Sequence, residues 1–164
     1  MKTLYYGGQK SGKSLLAEQK ALSLAGEQKP YYLATYNNSY HDKEMKERIA
    51  MHQSQRKEQF YTIEETLHLS RHIQKGHTYL IDCMSMWLLN TMEWSMEALI
   101  EEVKILCSKE ANIIFVLNDV GSGVIPPDAM SRKYVDRSGI LGQKLAQLCD
   151  EVYEVKLGIQ KRLK

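Results

Sequence analysis

Residues 7 to 14 read Gly7-Gly8-Gln9-Lys10-Ser11-Gly12-Lys13-Ser14, a complete G-x-x-x-x-G-K-S phosphate loop. Its residue types dictate its chemistry. Glycines let main-chain N–H groups turn inward around a phosphate, and the N-terminus of a following helix adds partial positive charge. Lys13 is placed to reach the outer phosphates of a nucleoside triphosphate, and Ser14 offers a hydroxyl to a Mg²⁺ ion bridging them. The run Thr3-Leu4-Tyr5-Tyr6 before the loop and Leu15-Leu16-Ala17-Glu18 after it supply the strand-then-helix context that separates a phosphate loop from a chance glycine turn.

Asp82 closes the apolar run Tyr79-Leu80-Ile81, where a phosphate-loop protein places the second carboxylate that organises Mg²⁺. Open α/β sheets bind ligands outside the carboxyl ends of their strands, so Asp82 and the loop are expected to face one crevice. The alternative is a strand-terminal turn aspartate. The loop Asn118-Asp119-Val120-Gly121-Ser122-Gly123-Val124-Ile125-Pro126 also follows an apolar strand directly, which puts it at the same edge unless it is an ordinary proline-stiffened turn.

A helix through Asp42 to Gln53, continued to Arg56, aligns Arg48, His52 and Arg56 at i, i+4 and i+8. Two guanidiniums flanking an imidazole suit a polyphosphate, and neighbouring positive charge favours the neutral imidazole that nucleophilic chemistry needs. The same stripe also fits a solvated basic helix face. His41, His68, His72 and His77 lack this setting and read as surface or packing residues. His68 and His72 have zinc-compatible spacing but no third ligand.

These residues must be positioned by alternating β- and α-type runs, which predict an α/β fold with a largely parallel sheet. Strands are expected at Thr3 to Tyr6, Tyr31 to Ala34, Thr78 to Ile81, Asn112 to Leu117 and Val152 to Val155. Helices are expected at Lys13 to Ala25, Asp42 to Gln53, Glu64 to Gln74, Met84 to Thr91, Ser95 to Ser108 and Ser131 to Cys149. Ser95 and the Thr62/Glu65 capping-box spacing mark two of the helix starts. Lys156 to Gln160 reads as a hairpin into a last edge strand. Trp87 and Trp94 fit core or subunit-interface packing.

The 164 residues carry no linker-like or low-complexity segment and are expected to form one domain, 1–164. Lys and Arg total 22 against 20 acidic residues, so no basic field points to nucleic acid, and small anionic partners are expected instead. Three widely spaced cysteines, Cys83, Cys107 and Cys149, suggest a reduced, cytoplasmic setting without structural zinc. No apolar run is long enough to span a bilayer.

Beyond the phosphate loop, the chain contains Tyr32-Leu33-Ala34-Thr35, Glu44-Met45, Arg48-Ile49-Ala50-Met51-His52, Ile81-Asp82-Cys83-Met84-Ser85-Met86-Trp87-Leu88 with Asn90, the Asn118 to Pro126 loop, and Gly158-Ile159-Gln160-Lys161-Arg162-Leu163. In that order, and nearly end to end, these segments resemble the bifunctional adenosylcobinamide kinase and adenosylcobinamide-phosphate guanylyltransferase family of cobalamin biosynthesis. The resemblance implies a P-loop, RecA-like fold with an antiparallel edge strand and a homotrimer with sites between subunits. It implies phosphorylation of adenosylcobinamide by ATP or GTP, then GMP transfer from GTP through a guanylylated His52. Its nucleotide contacts would fall on Gly7 to Ser14, Thr35, Tyr36, Asn37, Gln53, Ser54, Gln55, Arg56, Glu64 and Asp82, with Mg²⁺ held through the nucleotide by Ser14 and Asp82.

The chain departs from the family pattern at Asp119, where glutamate is usual, at Val135 in place of arginine, and at Gly142 in place of asparagine. The residues assigned to guanylyl transfer are intact. Two other classes of function remain compatible with the phosphate loop: a nucleotide-dependent switch, and a monofunctional metabolite kinase in which His52 is only a phosphate contact.

Overall fold

The computed structural model describes residues 1–37 and 58–164. Strand β1 (Lys2–Gly7) passes through the glycine loop into helix α1 (Lys13–Ala25). After it come β2 (Tyr31–Ala34), β3 (Tyr61–Glu64), a 3₁₀ turn (Leu69–His72), β4 (Thr78–Asp82), α2 (Met84–Asn90) and α3 (Met96–Ser108). The chain ends with β5 (Asn112–Asn118), α4 (Ala129–Leu148), β6 (Glu151–Lys156) and β7 (Ile159–Arg162). The strands form one sheet in the order β3-β2-β4-β5-β1-β6-β7. Every neighbouring pair is parallel except β6 and β7, the antiparallel edge pair.

The central strands are apolar on both faces, as parallel strands covered on both sides must be. Alternation along them divides the core in two. Leu4, Ile81, Phe115 and Leu117 face Trp87 of α2, Leu99 of α3 and Leu141 of α4. Tyr5, Leu80, Ile114 and Val116 face α1, whose Ala17 and Ala21 are fully buried. Small side chains at i and i+4 bring α1 close to the sheet, and the phosphate loop with it.

Helix ends follow local chemistry. Ser95 caps α3, its hydroxyl accepting from the Ala98 N–H at 3.2 Å. Helix α4 begins two residues before the expected Ser131, because Asp128 caps it by accepting from the Ser131 N–H at 2.8 Å. The expected hairpin turns through Leu157 and Gly158, at φ 55° and 77°. Two residues of positive φ match the twist of the flanking strands.

One expectation fails. Glu64 to Gln74 does not form a helix: Tyr61–Glu64 is an edge strand paired with β2, and only Leu69–His72 is helical, as a 3₁₀ turn. Thr62 lies inside the strand, so the capping box does not form. Glu65 serves the turn instead, accepting from the N–H groups of Leu67 at 2.8 Å and His68 at 3.1 Å. The expected helix from Asp42 to Gln53 lies outside the described residues. Among the described residues no helix is long and apolar enough to cross a membrane.

Candidate nucleotide site at the carboxyl edge of the sheet

Gly7 ends β1 and starts the loop, and its α-carbon has no room for a side chain. A Cβ there would lie 2.3 Å from the Val155 carbonyl oxygen and 2.8 Å from Ser11 Oγ. Gly12 adopts φ 97°, a left-handed conformation that glycine alone takes without strain, and so turns the chain into α1. Gly8 has open space around it. The two outer glycines are thus required by the fold, whereas Gly8 is not.

Lys13 enters this loop from the first turn of α1 and is only 6% exposed. Its Nζ donates to the Gly8 carbonyl at 3.0 Å. Burial lowers the pKa of its ammonium below the ordinary 10.5, while the neighbouring Asp82 carboxylate and Cys83 act in the opposite direction. A buried cation held inside a glycine loop is chemically suited to an anion.

Asp82 ends β4 on the α1 side of the sheet, since Leu80 two residues earlier packs toward α1. Tyr32 donates its hydroxyl to Asp82 Oδ2 at 3.1 Å. The hydroxyl of Ser14 and the carboxylate of Asp82 are hard oxygen donors of the kind Mg²⁺ accepts, so the donor set fits that ion. Burial pushes the thiol of the next residue, Cys83, up to about 11, which keeps it protonated at neutral pH. It is therefore a poor nucleophile for group transfer.

Thr35 follows β2 and is fully buried. Its hydroxyl donates to the Cys83 carbonyl at 2.8 Å and accepts from the Cys83 N–H at 3.0 Å, tying the end of β2 to the end of β4. Asn90 adds a second tie, its Nδ2 donating to the carbonyls of Thr35 at 2.7 Å and Thr66 at 3.2 Å. Tyr36 and Asn37 continue from this anchored point and are half-buried. Glu64 ends β3 and is exposed. It is four strand spacings from β1, roughly 19 Å in the plane of the sheet.

The loop, Thr35, Glu64 and Asp82 therefore line one edge, as expected. His52, Gln53, Ser54, Gln55 and Arg56 lie outside the described residues, as does Arg48. Tyr32 and Asn90 carry contacts here that their types alone did not announce. For Tyr32 the signal was present, because period-two alternation puts it on the same face as Asp82.

His41 lies outside the described residues, and the remaining histidines have structural partners. His72 Nε2 lies 3.0 Å from Glu65 Oε2, and His68 packs tilted against Trp94 with ring centroids 5.2 Å apart. Trp94 in turn meets the buried Trp87 edge-on at 6.2 Å. Among the described residues no group of three or more His, Cys, Asp or Glu side chains could hold a metal ion.

Two of the departures from the family pattern fall close together. Asp119 donates its backbone N–H to the Gly7 carbonyl at 2.9 Å, and its carboxylate accepts from Ser122 Oγ at 2.6 Å and from the Tyr6 hydroxyl. Gly142 of α4 lines a cavity of about 300 Å³ on the sheet face opposite Lys13, together with Leu4, Tyr6, Val152 and Leu163. A Cβ at Gly142 would sit 3.2 Å from Leu117 Cδ2, so a larger residue there presses on the core.

The chain is similar to known proteins along its length. The family model for cobinamide kinase / cobinamide phosphate guanyltransferase matches residues 3–163. A bifunctional adenosylcobalamin biosynthesis protein, CobP, of Pseudomonas aeruginosa is 35% identical, with 100% of this chain and 98% of that protein covered. The similarly named CobU proteins of Salmonella typhimurium and Escherichia coli are 30% and 29% identical, each covered in full along with this chain. A KaiC-like protein from the archaeon Pyrococcus horikoshii has a crystal structure with TM-score 0.49 and 12% identity, covering 93% of this chain and 69% of that one. With a phosphate loop and an acidic strand end on one crevice, and a match running the length of the chain, the protein belongs to the cobinamide kinase / cobinamide phosphate guanyltransferase family, a family of kinases and nucleotidyltransferases.

Proposed function

We propose that this chain phosphorylates the aminopropanol hydroxyl of adenosylcobinamide with ATP or GTP, then transfers GMP from GTP through a guanylyl-histidine at His52. In the first step the hydroxyl oxygen bonds to the γ-phosphorus as its proton leaves, and the bridging P–O bond breaks to release the nucleoside diphosphate. In the second, a ring nitrogen of His52 attacks the α-phosphorus of GTP and pyrophosphate departs. A phosphate oxygen of the phosphorylated cobinamide then displaces the imidazole, giving adenosylcobinamide-GDP. Two in-line displacements replace one difficult transfer.

The observation that carries this reading is the buried Lys13 ammonium aimed into a glycine loop beside Asp82, on a chain matched from residue 3 to 163 by the family. In the proposal, the Gly7 to Ser14 loop and Lys13 grip the phosphates, Thr35 to Asn37 and Glu64 meet the rest of the nucleotide, and Gln53 to Arg56 complete the site near His52. Ser14 and Asp82 would hold Mg²⁺ through the nucleotide, where the ion neutralises phosphate charge.

The same reading takes residues 1–164 as one domain working in the cytoplasm as a homotrimer with sites between subunits. Exposed apolar side chains support contact between copies: Val124 is 94% exposed, Leu157 86%, Ile125 79% and Ile159 72%.

GTP labelled at the α-phosphate tests the covalent step. An acid-labile, base-stable adduct on the protein, absent from His52→Ala, is expected. Active protein that binds GTP yet takes no label would exclude the guanylyl-histidine. Product analysis with adenosylcobinamide plus GTP separates the bifunctional enzyme from a kinase that stops at the phosphate ester and from a switch that makes no product.

A further inference from the structure

Strand β5 lies between β1, which carries the phosphate loop, and β4, which carries Asp82. Its last residue, Asn118, pairs with Gly7 in the parallel register. Ile114 and Val116 pack toward α1, so alternation along β5 turns Asn118 to that same side, shared by Lys13 and Asp82. Asn118 is thereby placed at the edge between the strand that enters the loop and the strand that ends in Asp82.

The backbone around it is fixed on both sides. The Asn118 N–H donates to Ser85 Oγ at 2.8 Å, and Ser85 is itself held by the Tyr134 hydroxyl, which donates to its carbonyl at 3.0 Å. The next N–H, of Asp119, donates to the Gly7 carbonyl at 2.9 Å. The side chain is half-buried, and no hydrogen bond to its carboxamide occurs among the described residues. A rigidly mounted polar group whose carboxamide has no partner among the described residues, at the edge where a phosphate loop opens, is poised for a ligand.

We propose that Asn118 is a further nucleotide-binding residue, its carboxamide N–H₂ donating to an oxygen of the terminal phosphate, so that the site distinguishes a nucleoside triphosphate from a diphosphate. The proposal rests on the phosphate-loop reading of Gly7 to Ser14. One strand spacing separates β5 from β1, so Asn118 can reach a phosphate held by the loop but not a base lying toward β3.

The test is titration of the full chain, with Mg²⁺, against GDP and a non-hydrolysable GTP analogue, comparing wild type with Asn118→Ala and the near-isosteric Asn118→Asp. The expected result is an unchanged GDP affinity in Asn118→Ala with triphosphate affinity lowered roughly 10-fold, the scale of a lost hydrogen bond to a charged group. In Asn118→Asp the triphosphate loss should be larger, because a carboxylate would then face the phosphate. Thermal midpoints confirm that each variant is folded, and Asn118→Asp suffices if the alanine variant is not. An unchanged ratio of triphosphate to diphosphate affinity, whether both are retained or both fall together, overturns the proposal. Failure of the loop reading would be recognised separately, by Lys13→Ala binding both nucleotides as wild type does.

Discussion

Lys13 closes the phosphate loop on itself, its Nζ donating to the Gly8 carbonyl at 3.0 Å from a position 6% exposed to solvent. Nothing in a hydrophobic core calls for an ammonium there, and burial disfavours its charge. On the proposed function, the fold keeps this cation ready for a polyanion.

Lys13→Met should accordingly lower triphosphate affinity at least about 10-fold, by loss of a charge-assisted contact, while the unliganded protein melts at an equal or higher temperature. Affinity has a matching pH dependence. Because the pKa of Lys13 is lowered in the unliganded protein, wild-type affinity should begin to fall, as pH rises, before pH 10.5 is reached. Calorimetric titration from pH 7 upward checks the sign, and wild-type affinity retained in Lys13→Met would remove the assigned role.

Gly7 and Gly8 should separate fold from ligand. Gly7→Ala places a Cβ 2.3 Å from the Val155 oxygen, a backbone clash that forces β1 and β6 apart. It should destabilise the protein by about 2 kcal/mol or more in denaturant unfolding. Gly8→Ala meets no atom within 4 Å and should leave stability within about 0.5 kcal/mol. On the proposed function that open space takes the phosphate, so nucleotide affinity should fall even though the fold is intact. Equal stability of the two variants would contradict the packing around β1.

Residues 7 to 14 were legible in the sequence because the motif is dense: glycine, lysine and serine each have one physical job at one spacing. The strand bearing Asp82 was legible because apolar runs bounded by polar residues mark central parallel strands. Tyr61–Glu64 was not. Its side chains are mostly exposed on an edge strand, so no apolar period declares it, and Thr62 with Glu65 imitates a helix start. Pairing with β2 decides its conformation, and pairing is not local information. The contacts of Asn90 were hidden for a similar reason, since Thr35 lies 55 residues away in sequence.

Asn90 holds the ends of β2 and β3 against α2 through two bonds from a single Nδ2, to Thr35 and Thr66. Truncation to alanine leaves two carbonyls in need of donors, a cost of about 1–3 kcal/mol. Asn90→Ala should lower the unfolding free energy by that amount and weaken nucleotide binding, because Thr35 leads directly into Tyr36 and Asn37. Asn90→Asp should be worse, since it sets a carboxylate against both carbonyls. Circular dichroism in urea and nucleotide titration read the two effects separately. Stability equal to wild type in both variants would show that the tie carries no load.

Glu65 gives the turn after β3 a dependence on acid. Burial tends to raise its pKa, but the N–H groups of Leu67 and His68 and the His72 ring outweigh it and hold the carboxyl at about 2, against an ordinary 4.5. A carboxyl whose pKa is lower in the folded than in the unfolded chain stabilises the fold above about pH 4.5 and loses that contribution as pH falls toward 2. Glu65→Gln should therefore cost about 1–3 kcal/mol at pH 7, the scale set by a shift of this size once solvent access is discounted. The difference from wild type should shrink steadily between pH 4.5 and 2. Paired urea titrations across that range measure it. A gap that stays constant with pH would mean that Glu65 acts by shape, with its charge making no contribution.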